Sequence, residues 1–523
     1  MTHPIAPPHG LVGRCNHLFA AGHPLSAANR EPARLALQFK IWMLLILAGL
    51  GGCAASGERP ELAPARWAPA EVQHEWQPGP NEQAINVQAG PSGFDNNPPA
   101  RTARLKYDLP ALIDLALGRN PETREAWEAA RAAAAQWGIS RAAFYPTVRV
   151  DSQSGYERVI DQVPKHWGTL KNWRSTNLLT MNYDLADFGR RDAAARSARE
   201  QMLAANFQFN RKIQEVVFAV EKNFYLLDAE RADVAAAQAI VRLAITDRIA
   251  VEKRHTAGLA TRPDVLLARQ REARAHYELE NARLGVSDAQ AGLAVALGVR
   301  VDTLPEVESF GGQPIPATLS GAVEDLIGVA MRERPDLAAK VAALRSGDAE
   351  VDLARASMYP RVELSSYYGS HAFNYRLSNP PTPQFTAMAP EYAASVAVRW
   401  DAFAGFEHVN SVERAEADRE GARAQVYQYQ LDVASEVWRA YYAFTTALKK
   451  YQYAQSLLEA SQSAYDSNYG SFNHGLATIV DLLSAERDLA DAKYTMVGSR
   501  ADLLISAAAV AYASGAIPPQ AHP

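Results

Sequence analysis

Cysteine is nearly absent: the 523 residues hold two, Cys15 and Cys53. That excludes a disulfide framework and any CxxC metal box. A large excess of charge of either sign is also missing. A formal net charge of −5 at pH 7 leaves the chain without the basic surface that nucleic-acid binding requires. The histidines are scattered, and His276, His371 and His408 each lack a Cys, His or Asp partner at metal-ligand spacing. His255 and His474 are expected to be solvated. No GxSxG, Walker A or GxGxxG motif stands in a strand-to-helix context, and the eight methionines are dispersed. Enzymatic activity, a cofactor and a bound metal are therefore not expected.

Long apolar runs are missing too. The one marked run, Ile41 to Leu50, is too short to span a bilayer as a helix. It follows Arg34 and Lys40 and ends in "LGGC", which reads as a secretory signal over residues 1–52. Residues 1–33 are long for the basic lead of such a signal, which points to a translation start further in. The ending resembles the lipobox of bacterial lipoproteins, in which cleavage leaves Cys53 as an acylated N-terminus. Ala54, rather than an aspartate, then follows the lipidated residue, which points to the outer membrane. Removing residues 1–52 takes away four cations and one anion and moves the net charge from −5 to −8. The rest of 53–101 is Pro/Gly-rich and aperiodic and is expected to form an extended tether.

What is present is one unit written twice. "PETREAWEAARAAAAQWGISRAAFYPTVRV" from Pro121 aligns without a gap on "PDLAAKVAALRSGDAEVDLARASMYPRVEL" from Pro335. Tyr145-Pro146 meets Tyr359-Pro360, Gly155 meets Gly369, and "GLATRPDVL" at 258–266 meets "GLATIVDLL" at 475–483. The repeats cover 102–300 and 319–515, joined by a linker at 301–318, with a tail at 516–523.

The period changes within each unit. Before Tyr-Pro the pattern is Ala-rich and helical, and the proline ends it. After it, Val148 and Val150 alternate with polar neighbours, as do Val362 and Leu364, which marks strands with one apolar face. The return strands alternate likewise through Leu179, Met181, Tyr183 and Leu185 and through Ala394, Val396, Val398 and Trp400. Each unit thus contributes one β-hairpin, at about 147–186 and 361–402, with long loops expected at 160–172 and 372–391. Tyr156, Trp167, Trp173, Tyr367, Tyr368, Phe373, Tyr375 and Tyr392 crowd the strand ends, as in an aromatic girdle or as plain strand propensity allows. Residues 188–256 and 405–472 hold no proline. Ile213, Val217, Val220, Phe224, Leu227, Val234, Val241 and Ile245 form a heptad-like seam, repeated in the second unit by Val437, Tyr441 and Phe444. Helices of this length reach roughly 100 Å.

The turns "GLATxxDxL" obey capping rules. Gly258 and Gly475 suit the left-handed position past a helix end, Thr261 and Thr478 the N-cap of the next helix, and Asp264 and Asp481 complete a capping box.

Four strands cannot close a barrel, and open edges are costly in hydrocarbon. The chain therefore either oligomerises or stays out of the bilayer. The duplicated order of helix, Tyr-Pro, hairpin and long helix, with the two "GLATxxDxL" turns, resembles the TolC-like outer-membrane efflux proteins over about 102–515. The resemblance implies a mainly α fold with a small β part: a homotrimer with a 12-stranded outer-membrane barrel continued by a periplasmic α-barrel. The function it implies is the exit duct of a tripartite efflux or type I secretion system. Its partners would be outer-membrane lipid, a periplasmic adaptor and an inner-membrane pump of RND, ABC or MFS type.

It also implies that 255–264 and 472–481 are the closable periplasmic tips. Gly258, Leu259, Ala260, Thr261, Gly475, Leu476, Ala477 and Thr478 would dock the adaptor. Asp481, matching an acidic ring of the family, and Phe472 would form the gate, with Asp264 a cap only. Ser484 and Ala477 stand where a family member carries a second aspartate and a tethering arginine. A lipid-anchored periplasmic coiled-coil scaffold without a pore is the alternative, and the twice-repeated strand alternation separates the two.

Overall fold

The computed structural model describes residues 106–163, 166–310, 321–377 and 385–516, together with Pro69, Gln73, His74 and Trp76. The expected signal peptide, Cys53, most of the tether, linker residues 311–320 and residues 517–523 lie outside the described residues.

The first repeat runs α1 (Leu109–Arg119), α2 (Pro121–Arg141), β1 (Thr147–Val163), β2 (His166–Ala186), α3 (Arg190–Thr256) and α4 (Arg262–Leu297). The second runs α5 (Val323–Glu333), α6 (Pro335–Ala356), β3 (Arg361–Leu377), β4 (Phe385–Arg399), α7 (Glu407–Asn473) and α8 (Ile479–Ser514). The repeat is matched in length: α3 and α7 each have 67 residues, and α4 and α8 each have 36. Pro121 and Pro335 open α2 and α6, where a missing N–H costs nothing.

The seam expected on α3 is buried at Ile213, Val217, Val220, Phe224, Leu227 and Val241, while Val234 and Ile245 are half-buried. Its partners come from α1 and α4: Leu112, Leu117, Leu293 and Leu297 join the same apolar cluster. Near the repeat junction, Arg211 of α3 pairs with Asp336 at 3.1 Å, and Arg334 pairs with Glu436 of α7 at 2.6 Å. Tyr429 donates its hydroxyl to Asp336 at 2.8 Å. This buried network joins the two repeats, and removing one partner from such a set costs about 3–5 kcal/mol because it strands a buried charge.

The four strands form one antiparallel sheet in the order β1-β2-β3-β4, so β1 and β4 are edges. The two expected loops are corrected here. Strand pairing continues past them, from Val163 opposite His166 in one hairpin and to Tyr375 opposite Phe385 in the other. Main-chain pairing needs only extended backbone, so Gly168, Asn172 and the edge-strand Pro390 do not interrupt it. Residues 164–165 and 378–384 lie outside the described residues.

Two connecting segments hold more than their composition implies. In the linker, Val307 and Phe310 are buried, and Tyr107 bridges to Val307. In the tether, the Trp76 N–H donates to Asn210 Oδ1 at 2.8 Å and Asn210 Nδ2 donates back to the Trp76 carbonyl at 2.7 Å. Trp127 Nε1 donates to the Pro69 carbonyl at 2.8 Å. Both segments are fastened to the helical body by such contacts, because buried main-chain groups demand partners.

Candidate functional site: two helical tips and a two-faced sheet

Register sorts the strand residues into two faces. Val148 lies opposite Met181, Val150 opposite Leu179, Leu179 opposite Tyr368, and Tyr368 opposite Tyr392. These share one face with Tyr156, Trp173, Leu364, Val396 and Val398, following the period of two. The other face takes Arg149, Asp151, Glu157, Glu363, Glu391 and Arg399, with Glu363 and Arg399 paired at 3.1 Å. On the apolar face the first charges appear only beyond the Tyr156–Trp173 pair, at Arg158 and Lys171, which are themselves opposite one another. Val150, Tyr156, Met388, Tyr392, Val396 and Val398 are all exposed. Uncharged serines and asparagines, including the hydrogen-bonded pairs Ser152–Asn177 and Ser154–Ser175, fill the middle of this face. A largely uncharged surface with exposed aliphatic and aromatic residues, and no cover among the described residues, marks a membrane or partner contact.

At the opposite end of the long helices stand the tips. After α3, Gly258 takes φ +75°, and after α7, Gly475 takes φ +76°. A side chain at either position would be strained. The Leu259 N–H returns to the Arg254 carbonyl at 2.8 Å, and the Leu476 N–H returns to the Ser471 carbonyl at 2.8 Å, which closes each helix end. Both expected capping boxes form. The Thr261 N–H and hydroxyl each donate to Asp264 Oδ2 at 2.7 Å. The Thr478 N–H donates to Asp481 Oδ2 at 2.9 Å and its hydroxyl at 2.6 Å. The hydroxyl and main-chain donors of Thr478 hold Asp481 below the usual carboxylate range, and the main chain and hydroxyl of Thr261 do the same for Asp264. Each cap therefore favours the ionised form of its own aspartate.

Exposure divides the remaining tip residues. Leu259 is 69% exposed and Leu476 is 83% exposed, the largest apolar side chains at either apex. Ala260 and Ala477 are half-buried beneath them. Phe472 is 3% exposed and packs with Val251, Ala268, Leu482 and Leu489, so the expectation that its ring narrows a passage is not met. An aromatic ring three residues before the turn glycine lies on the face that packs on the other hairpin, and there it is an anchor.

One contact at the tips escaped sequence reasoning. The Arg254 guanidinium, from the last turn of α3, donates through Nη1 to the Phe472 carbonyl at the end of α7. It also lies 4.6 Å from the centroid of the Phe472 ring. The first hairpin thus sets an arginine against the end of the second hairpin's α7. A basic residue near a helix C-terminus was the available signal, but nothing local says that it caps the other hairpin's helix.

The long helices make an open row. α3 packs on α4 and on α8, and α8 packs on α7, which leaves α4 and α7 at the two ends. Both end helices expose apolar stripes. On α7 these are Tyr427 and Trp438, and Leu431, Tyr442 and Tyr453; on α4 they are Leu266 and Tyr277, and Leu284 and Val295. Each series steps by 11 residues, or about 3.67 per turn, which keeps a stripe nearly parallel to the axis of a straight helix.

Comparisons with known proteins agree with this architecture. A family model described as outer membrane efflux protein matches residues 112–299 and 326–516, one segment per repeat. Protein CyaE of Bordetella pertussis is 27% identical over 435 residues, covering 83% of this chain and 89% of that protein. The solvent efflux pump outer membrane protein SrpC of Pseudomonas putida is 25% identical over 340 residues, covering 64% of this chain and 69% of that protein. The outer membrane protein VceC of Vibrio cholerae superposes with a TM-score of 0.66 at 21% identity, covering 78% of this chain and 96% of that one. The last shows the fold, a TolC-like outer-membrane channel with its helical barrel.

Proposed function

Because the chain belongs to the outer membrane efflux protein family, we propose that it is the exit duct of a tripartite efflux or type I secretion assembly. Three copies close one channel that passively carries cargo from an inner-membrane pump and a periplasmic adaptor to the exterior. The observation that carries this reading is the sheet: one largely uncharged face with exposed apolar residues, one charged face, and two edges, β1 and β4, unpaired among the described residues. Unpaired edges in hydrocarbon cost several kcal/mol per group. Edge pairing between copies removes that cost, and three copies supply twelve strands whose charged faces line the lumen.

The helical row is open in the same sense. With α7 of one copy against α4 of the next, two stripes of matched 11-residue step cover each other and the row closes into a ring. A coiled-coil scaffold has no use for a two-faced sheet at one end of such a ring. Acylated Cys53 would add a second attachment to the outer membrane, with the fastened tether leading from it to the helical body. Leu259 and Leu476, exposed at the tips beside Gly258, Ala260, Thr261, Gly475, Ala477 and Thr478, form the docking surface for the adaptor. The same surface serves RND, ABC or MFS pumps, since the adaptor stands between.

Asp481 is the gate residue in this reading. Three ionised carboxylates drawn close around one axis attract cations and repel anions. Asp481→Ala is expected to raise single-channel conductance in a planar bilayer and to weaken block by divalent cations. Thr478→Val, which removes the capping hydroxyl but keeps the charge, separates the roles. It should cost about 1 kcal/mol of helix stability and leave divalent block intact. If Asp481→Ala leaves both quantities unchanged, the residue is a cap and nothing more.

A further inference from the structure

About three helical turns above the tips, the four long helices meet at a buried polar node. Asp247 of α3 and Glu486 of α8 are both 0% exposed. Tyr465 of α7 donates its hydroxyl to the two Asp247 oxygens at 3.2 and 3.4 Å. Arg271 of α4 donates through Nε to Glu486 Oε1 at 3.2 Å. The buried Asp247 and Glu486 carboxyls act on each other's charge, and Glu486 Oε2 is buried without a donor among the described residues.

Two ionised carboxylates accept and do not donate, so they cannot bond. The donor that this geometry lacks is a proton held between them. The other groups facing the node are Glu278 of α4 and Tyr469 of α7. Among the described residues, Arg271 is the cation that acts on Glu486. Burial first, and then the neighbouring Glu486 charge, push the Asp247 carboxyl up to about 7. Burial also raises Glu486, with Arg271 opposing.

We propose that the Asp247–Glu486 pair is a proton-operated latch that holds the two helical hairpins together above the tips. With one proton shared, the pair carries one negative charge and Arg271 balances it. Loss of that proton leaves a net buried negative charge, which pushes α3 away from α8 and lets the second hairpin swing outward. The closed form therefore binds one more proton than the splayed form, in which both acids reach water and ionise at ordinary values. Acid favours closure, and opening sets in as pH rises through neutrality. The latch rests on the duct reading, since it needs a tip that opens.

The test is single-channel conductance of the purified full-length trimer in a planar bilayer, with the pH on the helical side stepped from 6 to 8. One coupled proton shifts the open-to-closed ratio by at most about tenfold per pH unit, so a several-fold rise in conductance centred near neutral pH is expected. Asp247→Asn mimics the protonated acid and is expected to keep the pH 6 conductance at pH 8. Tyr465→Phe removes a hydroxyl that favours the carboxylate, so the midpoint moves to higher pH. A flat profile in the unsubstituted protein, or a rise that survives Asp247→Asn with no midpoint shift in Tyr465→Phe, would overturn the latch alone. A folded trimer that conducts at no pH would overturn the duct reading and the latch with it.

Discussion

Replacing Tyr442 and Tyr453 together with glutamate is expected to eliminate SDS-resistant trimers from outer-membrane fractions, leaving unassembled chain. Both rings are exposed on α7 and sit 11 residues apart on its stripe. In the assembled ring Tyr453 would cover the neighbour's α4 around Leu284 and Tyr442 would cover it around Val295, which lie at matching heights above the tips. A buried aromatic side chain contributes on the order of 2–3 kcal/mol. An unpaired carboxylate forced into the same contact costs several more, and a ring of three repeats the loss at every interface. The trimer fraction on an unheated gel should fall by more than about tenfold. Glutamate at Gln452 and Gln455, on the same helix but off the stripe, is the control and should leave the trimer intact. Trimers of normal abundance with the double substitution on the stripe would contradict the pairing of α7 with α4.

Arg254→Ala is expected to release the second tip from the first and to raise conductance several-fold in the closed channel. The guanidinium satisfies an end-of-helix carbonyl at Phe472 and covers its ring. A charge-assisted hydrogen bond contributes about 1.5–3 kcal/mol and a partly desolvated cation–π contact about 0.5–2 kcal/mol. Their loss is large against the few kcal/mol that separate open from closed states. Arg254→Lys should restore only part of the closure, because an ammonium group lacks the flat fork that both bonds and stacks. Cells producing the alanine variant should also become sensitive to bulky antibiotics that the outer membrane normally excludes. A variant indistinguishable from the unsubstituted channel in both assays would assign Arg254 to helix capping alone.

Much of this architecture was legible in the sequence because the chain states it twice. The gapless match from Pro121 and Pro335 located both hairpins, and the capping letters of Thr261, Asp264, Thr478 and Asp481 located both tips, because those rules act within four residues. Legibility failed where the deciding partner is distant in sequence. Arg254 reads as an ordinary basic residue near a helix end until α7 is beside it. Phe472 reads as a gate until the first hairpin covers it. Asp247 and Glu486 each look like surface acids on amphipathic helices, and only their meeting makes them a pair. The strand ends failed for a different reason. Loop signals such as Gly168 and Asn172 describe local preference, whereas a hairpin already in register gains main-chain hydrogen bonds by continuing. Trp76 and Phe310 are buried against surfaces that their neighbours in sequence do not announce.

The central claim is that three chains build one pore rather than three. It is tested most directly by recording the conductance steps of purified full-length trimers inserting into a planar bilayer. A single conductance level per insertion, with no threefold substructure, is the expected result, since twelve strands from three copies enclose one lumen. Steps divided into three equal sublevels would place a pore within each chain, and inserted trimers with no conductance would leave no pore at all; either result would contradict the account.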